Sequence, residues 1–158
     1  MKEFPDYKEY IDKRGREAYE LLNGLTNLKR IFEYQGTIYE LYKETRLNLS
    51  NNQIKILPPE IDKLSNLRIL NLDNNQITTL PPEIDKLSNL QELYLYNNQI
   101  TILPPEIGNL SQLQKLYLHN NQITMLPPEI GKLSNLQELR VDRKVIIPAG
   151  LKFLHFII

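Results

Sequence analysis

Apolar residues fall along this chain in two alternating rhythms. From Leu47 onward, leucines stand at alternate positions: Leu47/Leu49, Leu70/Leu72, Leu93/Leu95, Leu116/Leu118 and finally Leu139/Val141. Alternate spacing puts both side chains of a short strand on one face, so each pair predicts a strand with its intervening residues turned outward. An asparagine follows each of the first four pairs, at Asn52, Asn75, Asn98 and Asn121, and isoleucine comes two residues later at Ile54, Ile77, Ile100 and Ile123. Leu57, Leu80, Leu103 and Leu126 then open a Leu-Pro-Pro-Glu-Ile run. Paired prolines fix the chain direction and supply no donor, which suits a turn or the start of a short helix. Ile61 and Leu64, with their equivalents, are expected to point inward from that turn.

The whole pattern repeats every 23 residues without a slip from Leu47 to Leu139, and Leu93–Lys115 (LYLYNNQITILPPEIGNLSQLQK) is one full copy. Self-similarity at this period marks a solenoid, in which each unit buries its apolar face against its neighbours. An asparagine among apolar positions is costly unless bonded, and its amide is expected to serve the backbone of adjacent turns. Ile38 and Leu41 sit one period before Ile61 and Leu64, so the array begins near Gly36 with half a unit. Glu44 occupies the slot of Leu67 and makes that junction imperfect.

The text resembles the leucine-rich repeat family, pattern LxxLxLxxNxI followed by xxLPPEIGxLxxL, in four full copies and a degraded fifth. The resemblance implies an α/β fold: a right-handed solenoid with a concave parallel β-sheet and short convex helices or turns. The wording LPxEI is most similar to bacterial members, several of which are associated with host interaction. By analogy alone, that suggests the same setting here.

Both ends depart from the repeat. Residues 6–23 carry apolar spacings of three and four and predict a helix, entered at Pro5 and stopped at Asn23-Gly24. Tyr7, Tyr10, Tyr19, Tyr34, Tyr39 and Tyr42 crowd this region and are expected to cover the open end of the first repeat. At the other end Lys144 stands in the asparagine slot and the tail GLKFLHFII has no polar closing face. Terminal units need a cap, so the tail is expected to fold back as one. The alternative is that it stays exposed and mates with a second copy. The resulting organisation is residues 1–35 as an N-terminal helical cap, 36–143 as repeats, and 144–158 as an apolar tail or degenerate cap, all one structural domain.

Composition narrows the function. The 158 residues are 41% hydrophobic and 24% charged, an ordinary globular balance, with 19 basic against 19 acidic residues. A formal net charge of zero argues against a broad grip on nucleic acid or an anionic membrane. There is no cysteine, which removes disulfides, thiolate metal sites and cysteine nucleophiles. Bacterial leucine-rich-repeat ubiquitin ligases need such a cysteine in an added domain. The start of the sequence has no signal-peptide core and the tail is too short to span a bilayer. A cytoplasmic location is therefore the default expectation, with signal-independent export as the alternative.

No phosphate loop, nucleophile motif or metal-type histidine spacing appears, so neither catalysis nor a cofactor or metal is expected. Glu60, Glu83, Glu106 and Glu129 form a column because the unit recurs, with Lys63, Lys86 and Lys132 three residues on to relieve repulsion. The free information lies at the outward strand positions. These form three columns: Arg46, Ile69, Glu92, Lys115, Glu138; then Asn48, Asn71, Tyr94, Tyr117, Arg140; then Ser50, Asp73, Tyr96, His119, Asp142. All three tyrosines of the in-register stretch from Leu47 to Leu139, Tyr94, Tyr96 and Tyr117, fall on this face. Aromatic rings and arginine carry binding hot spots. Tyr94, Tyr96, Tyr117, His119, Arg140, Glu92 and Lys115 are therefore the candidate surface for a protein or peptide. Solvent-facing strand tyrosines also arise simply because they suit a sheet. Five strands at ~4.8 Å spacing and ~15 Å length offer roughly 400 Å², half of the ~800 Å² per partner of a stable interface. The reading is a non-catalytic interaction module; the alternative is a structural protein that assembles through its tail.

Overall fold

The computed structural model describes residues 20–21, 23–149, 151 and 155–156. Five strands, β1 (Arg46–Asn48), β2 (Ile69–Asn71), β3 (Glu92–Tyr94), β4 (Lys115–Tyr117) and β5 (Glu138–Arg140), form a parallel sheet in chain order, and β6 (His155–Phe156) adds to its end. Each array strand is three residues long, or ~10 Å, shorter than the pattern suggested. The register joins residues 23 apart, with Leu47, Leu70, Leu93, Leu116 and Leu139 aligned across the sheet. One period per coil is what a solenoid requires, and the aligned leucines make one continuous core from Leu25 to Val145.

The convex side is built from 3-10 turns at Pro59–Lys63, Pro82–Lys86, Pro105–Asn109 and Pro128–Lys132. In each, the first proline is extended and the second opens the turn, where its missing N–H costs nothing. The isoleucines Ile61, Ile84, Ile107 and Ile130 and the leucines that close the turns are buried. The lysines do not act as the spacing implied. Lys63 and Lys86 pair with Asp62 and Asp85, at 2.9 and 3.3 Å, while Glu60 accepts a hydrogen bond from Asn27 Nδ2 at 2.8 Å.

The asparagine column behaves as expected in three of four places. Asn75, Asn98 and Asn121 are buried. Asn75 Nδ2 donates to the carbonyls of Leu49 and Leu72, and its Oδ1 accepts the N–H of Ile54. Asn98 and Asn121 repeat these bonds one coil further on. Every set reaches back to the preceding coil. Asn52 has no array strand before it, so it stays exposed and its amide donates to Ser50 O. The asparagine before each of these has its own task. Asn51, Asn74, Asn97 and Asn120 hold φ between 53° and 61°, a left-handed conformation that asparagine tolerates better than most residues.

The N-terminal end corrects one expectation. The backbone is helical over residues 23–31 (α1), straight through the Asn23-Gly24 pair read as a stop. Leu25, Leu28 and Phe32 are buried at helical spacing, and this burial outweighs the roughly 1 kcal/mol cost of a helical glycine. A Cβ on Gly24 would stand 2.9 Å from Lys63 Cγ, so the glycine also lets α1 lie close to the first convex turn. The helix expected from residue 6, with Tyr7, Tyr10 and Tyr19, lies outside the described residues as far as residue 19. Helix α2 (Ile38–Lys43) takes the place of the first convex turn, with Ile38 and Leu41 buried and a Thr37–Glu40 capping box. Tyr34 and Tyr42 pack partly against the core, while Tyr39 stays exposed. The irregular Glu44 accepts the Tyr34 hydroxyl at 2.7 Å. Burial, then that hydrogen bond, pushes the phenol of Tyr34 up to about 12.

At the other end the chain leaves the 23-residue spacing. Ile146 exchanges backbone hydrogen bonds with Thr124 and Leu126, and Val145 is buried. β6 then pairs with β5, Glu138 opposite His155. The tail thus adds a sixth strand to the five the repeats supply. Lys144 is exposed. Asp142 accepts the N–H groups of Asn120 and Asn121 from the preceding coil, at 3.0 and 3.4 Å.

Candidate functional site

The outward residues of β3, β4 and β5 and of the residues just after them form one patch on the sheet. Register fixes the neighbours: Glu92 beside Lys115 beside Glu138, and Tyr94 beside Tyr117 beside Arg140. Tyr94 and Tyr117 meet edge to face, with ring centres 4.9 Å apart. Tyr96 and His119 stack in parallel at 5.0 Å and 8°, and His119 leans on Tyr117 at 6.3 Å. The Arg140 guanidinium lies over the Tyr117 ring, 4.2 Å from its centre. Four rings and one guanidinium are therefore continuous, and all seven residues singled out from the sequence come together here.

Polar contacts hold these groups in place. Lys115 pairs with Glu92 at 3.0 Å and Arg140 with Glu138 at 2.7 Å. The Tyr94 hydroxyl donates to Glu92. Burial, and then the adjoining Glu92 carboxylate, raises the Tyr94 phenol, and burial with Glu138 raises that of Tyr117. Burial works against ionising Glu92 and Glu138, yet both lie below the usual carboxylate range. Tyr94 and Lys115 outweigh burial at Glu92, and Arg140 and Tyr117 do so at Glu138. Burial and then Arg140 lower the imidazole of His119, against a smaller pull from Asp142. His119 Nδ1 is buried without a hydrogen-bond partner among the described residues. A neutral imidazole stacked on Tyr96 fits these surroundings.

Glu138 and Asp73 belong to the patch although the sequence reading did not single them out. Their places in the columns were visible; that Glu138 fixes Arg140 and that Asp73 is buried were not. Asp73 is only 4% exposed, and its Oδ1 accepts the Tyr96 N–H at 3.0 Å. Burial pushes its carboxyl up to about 7 against the pull of that N–H. Its neighbours on and just after β1 and on β2 are shorter and polar (Asn48, Ser50, Asn71), so the aromatic cluster ends in a step beside β2.

Among the described residues no three His, Asp or Glu side chains are grouped to hold a metal ion. No described helix is long and apolar enough to cross a membrane. The side chain of His155 is outside what the structure describes.

Residues 84–157 match a family described as leucine-rich repeat region, and residues 45–86 match another described as leucine-rich repeats in two copies. Among solved structures, a leucine-rich repeat protein of Leptospira interrogans is similar at 42% identity and a TM-score of 0.52. The match covers 72% of this chain and 34% of that one, so the chain spans about a third of the length of its bacterial neighbour. No curated protein matches.

Proposed function

Since this chain belongs to the leucine-rich repeat family, whose domains generally mediate protein–protein interaction, we propose that it binds a protein or peptide across the concave patch around Tyr94, Tyr96, Tyr117 and Arg140. The observation that carries this reading is the continuity of four rings and one guanidinium on the face the fold leaves uncovered. Binding uses rigid aromatic area and arginine more than other residue types, and here internal pairs hold those groups before any partner arrives. Ordering them at an interface then costs less than it would for free side chains. Lys115 and Glu92 form the polar border of the patch. The chemistry is recognition without catalysis.

Area sets the scale of the contact. Five array strands at ~4.8 Å spacing and ~10 Å length give roughly 240 Å², well under the ~800 Å² per partner of a stable interface. A short extended peptide suits the sheet alone. A tight protein partner would also reach the flanking loops, the N-terminal helix or the tail.

The test is capture on the immobilised chain from bacterial and host-cell extracts, followed by titration of the partner identified. Tyr94→Ala/Tyr117→Ala should weaken that partner by about thirtyfold, the loss of a ~2 kcal/mol hot spot, with circular dichroism unchanged. Unaltered affinity in a folded variant sinks the proposal.

A second reading, self-assembly, has its own observation. Ile102, Met125 and Ile146 are 71%, 58% and 63% exposed. Ile146 is bridged to Met125 along one flank of the solenoid. Light scattering separates the two readings: a concentration-independent monomer removes assembly.

A further inference from the structure

Twice on the concave face a cation, a carboxylate and a tyrosine meet within the chain. Arg140 lies over Tyr117 and pairs with Glu138. Lys115 pairs with Glu92, which also accepts the Tyr94 hydroxyl. A third carboxylate and a third tyrosine stand together at Asp73 and Tyr96, joined by the 3.0 Å hydrogen bond from the Tyr96 N–H. Here the cation is missing: among the described residues none pairs with Asp73, and no charged group offsets its burial. A buried carboxylate with a single backbone donor is costly, and a cation brought against it recovers that cost. Tyr96 matches it on the aromatic side. His119 covers one face of its ring. The stack runs from coil to coil, so the other face is directed toward the preceding coil, where Asp73 holds the position equivalent to Tyr96.

We propose that this step takes the guanidinium of an arginine from the bound protein or peptide, laid over the open face of Tyr96 and paired with Asp73. The proposal rests on the concave face being the binding surface and adds the chemistry of one anchor to it. Arginine fits better than lysine, because its planar and weakly hydrated group stacks on a ring while it bonds a carboxylate sideways. An acidic side chain would meet Asp73 with like charge, and a neutral one would leave the carboxylate unpaired. The arrangement at Arg140, Tyr117 and Glu138 shows within the same molecule that this sheet accommodates such a triad.

The probe is N-acetyl-arginine N-methylamide, compared with the citrulline compound that keeps its shape and loses its charge. Both are titrated into the full chain while the carboxyl carbon of Asp73 and the ring of Tyr96 are followed by NMR. The arginine compound should give saturable shifts at both positions, with citrulline about tenfold weaker. Asp73→Asn should weaken the arginine compound to the level of citrulline, since the amide keeps an acceptor for the Tyr96 N–H but no charge. Equal responses to the two compounds, shifts that survive Asp73→Asn, or no saturable shift at Asp73 would each overturn the anchor. The two proposals fail separately. If the compound ignores Asp73 while Tyr94→Ala/Tyr117→Ala still loses the captured partner, the anchor is wrong and the binding face stands. If the compound seats at Asp73 but the alanine variant keeps its partner, the cation site stands and the aromatic binding face fails.

Discussion

Asn98 shows how one side chain ties two neighbouring coils together. Its Oδ1 accepts the Ile77 N–H, and its Nδ2 donates to Leu72 and Leu95. Asn98→Ala strands these buried groups, at a cost of about 3 kcal/mol, to be read from urea denaturation. Asn52→Ala, at the exposed start of the column, should cost under ~0.5 kcal/mol. Equal effects would mean that burial is not what the amide offsets. Asp73 gives a pH dependence. Its carboxyl is raised from 3.8 to about 7 in the folded chain, so the folded state holds the proton more tightly than the unfolded state. Relative to pH 4, folding therefore loses stability as pH rises toward 7, and the full cost of the buried charge remains above that. Asp73→Asn removes the cost, so the variant's advantage over the parent should grow by about 1–2 kcal/mol from pH 4 to pH 8, allowing for solvent screening. A difference flat with pH would show that the carboxylate is not desolvated.

The 3-10 turns carry a finer variation at the position of Asp62, Asp85, Gly108 and Gly131. A Cβ on Gly108 would come within 2.3 Å of the Glu129 carbonyl oxygen, backbone of the next turn. At Gly131, in the last turn, a Cβ would meet nothing within 4 Å. Two glycines that each follow Leu-Pro-Pro-Glu-Ile therefore differ in what is stacked on them. Gly108→Ala should destabilise by about 2 kcal/mol through overpacking, whereas Gly131→Ala should be neutral or slightly stabilising because it restricts the unfolded chain. Thermal denaturation of the two variants measures the contrast. Equal shifts would mean that the turns do not stack as closely as this.

Across the whole molecule, stability is a sum over coils and the interfaces between neighbours, so the ends decide how much apolar surface is left open. The tail contributes buried Val145, the backbone bonds of Ile146 and the β6 pairing to β5. A chain ending after Arg143 should unfold at lower urea and associate at concentrations where the full chain does not, as light scattering and circular dichroism would show together. Unchanged stability would mean that the tail is not the cap. The N-terminal end is closed differently, by the buried side chains of α1 and by α2 in place of a convex turn.

How much was legible followed from repetition. Strand positions, register, the inward leucines and the three outward columns could be read directly, because a 23-residue period restates the same contacts in every coil and each copy confirms the last. For the same reason the seven candidate residues could be placed on one face before their rings were seen together. Where repetition stops, so does legibility. The glycine in α1 read as a helix stop because local propensity says so, and only the burial of Leu25, Leu28 and Phe32 against the array reversed it. The tail's strand pairing lies outside the period and no spacing announces it. The partners of Lys63 and Lys86, the stacking of Tyr96 on His119 and the desolvation of Asp73 depend on side-chain directions and on what covers them. The sequence by itself therefore determined how the chain coils and which residues face outward. Tertiary structure decided how the ends close and which outward charges find a partner, because those energies depend on neighbours that no repeat specifies.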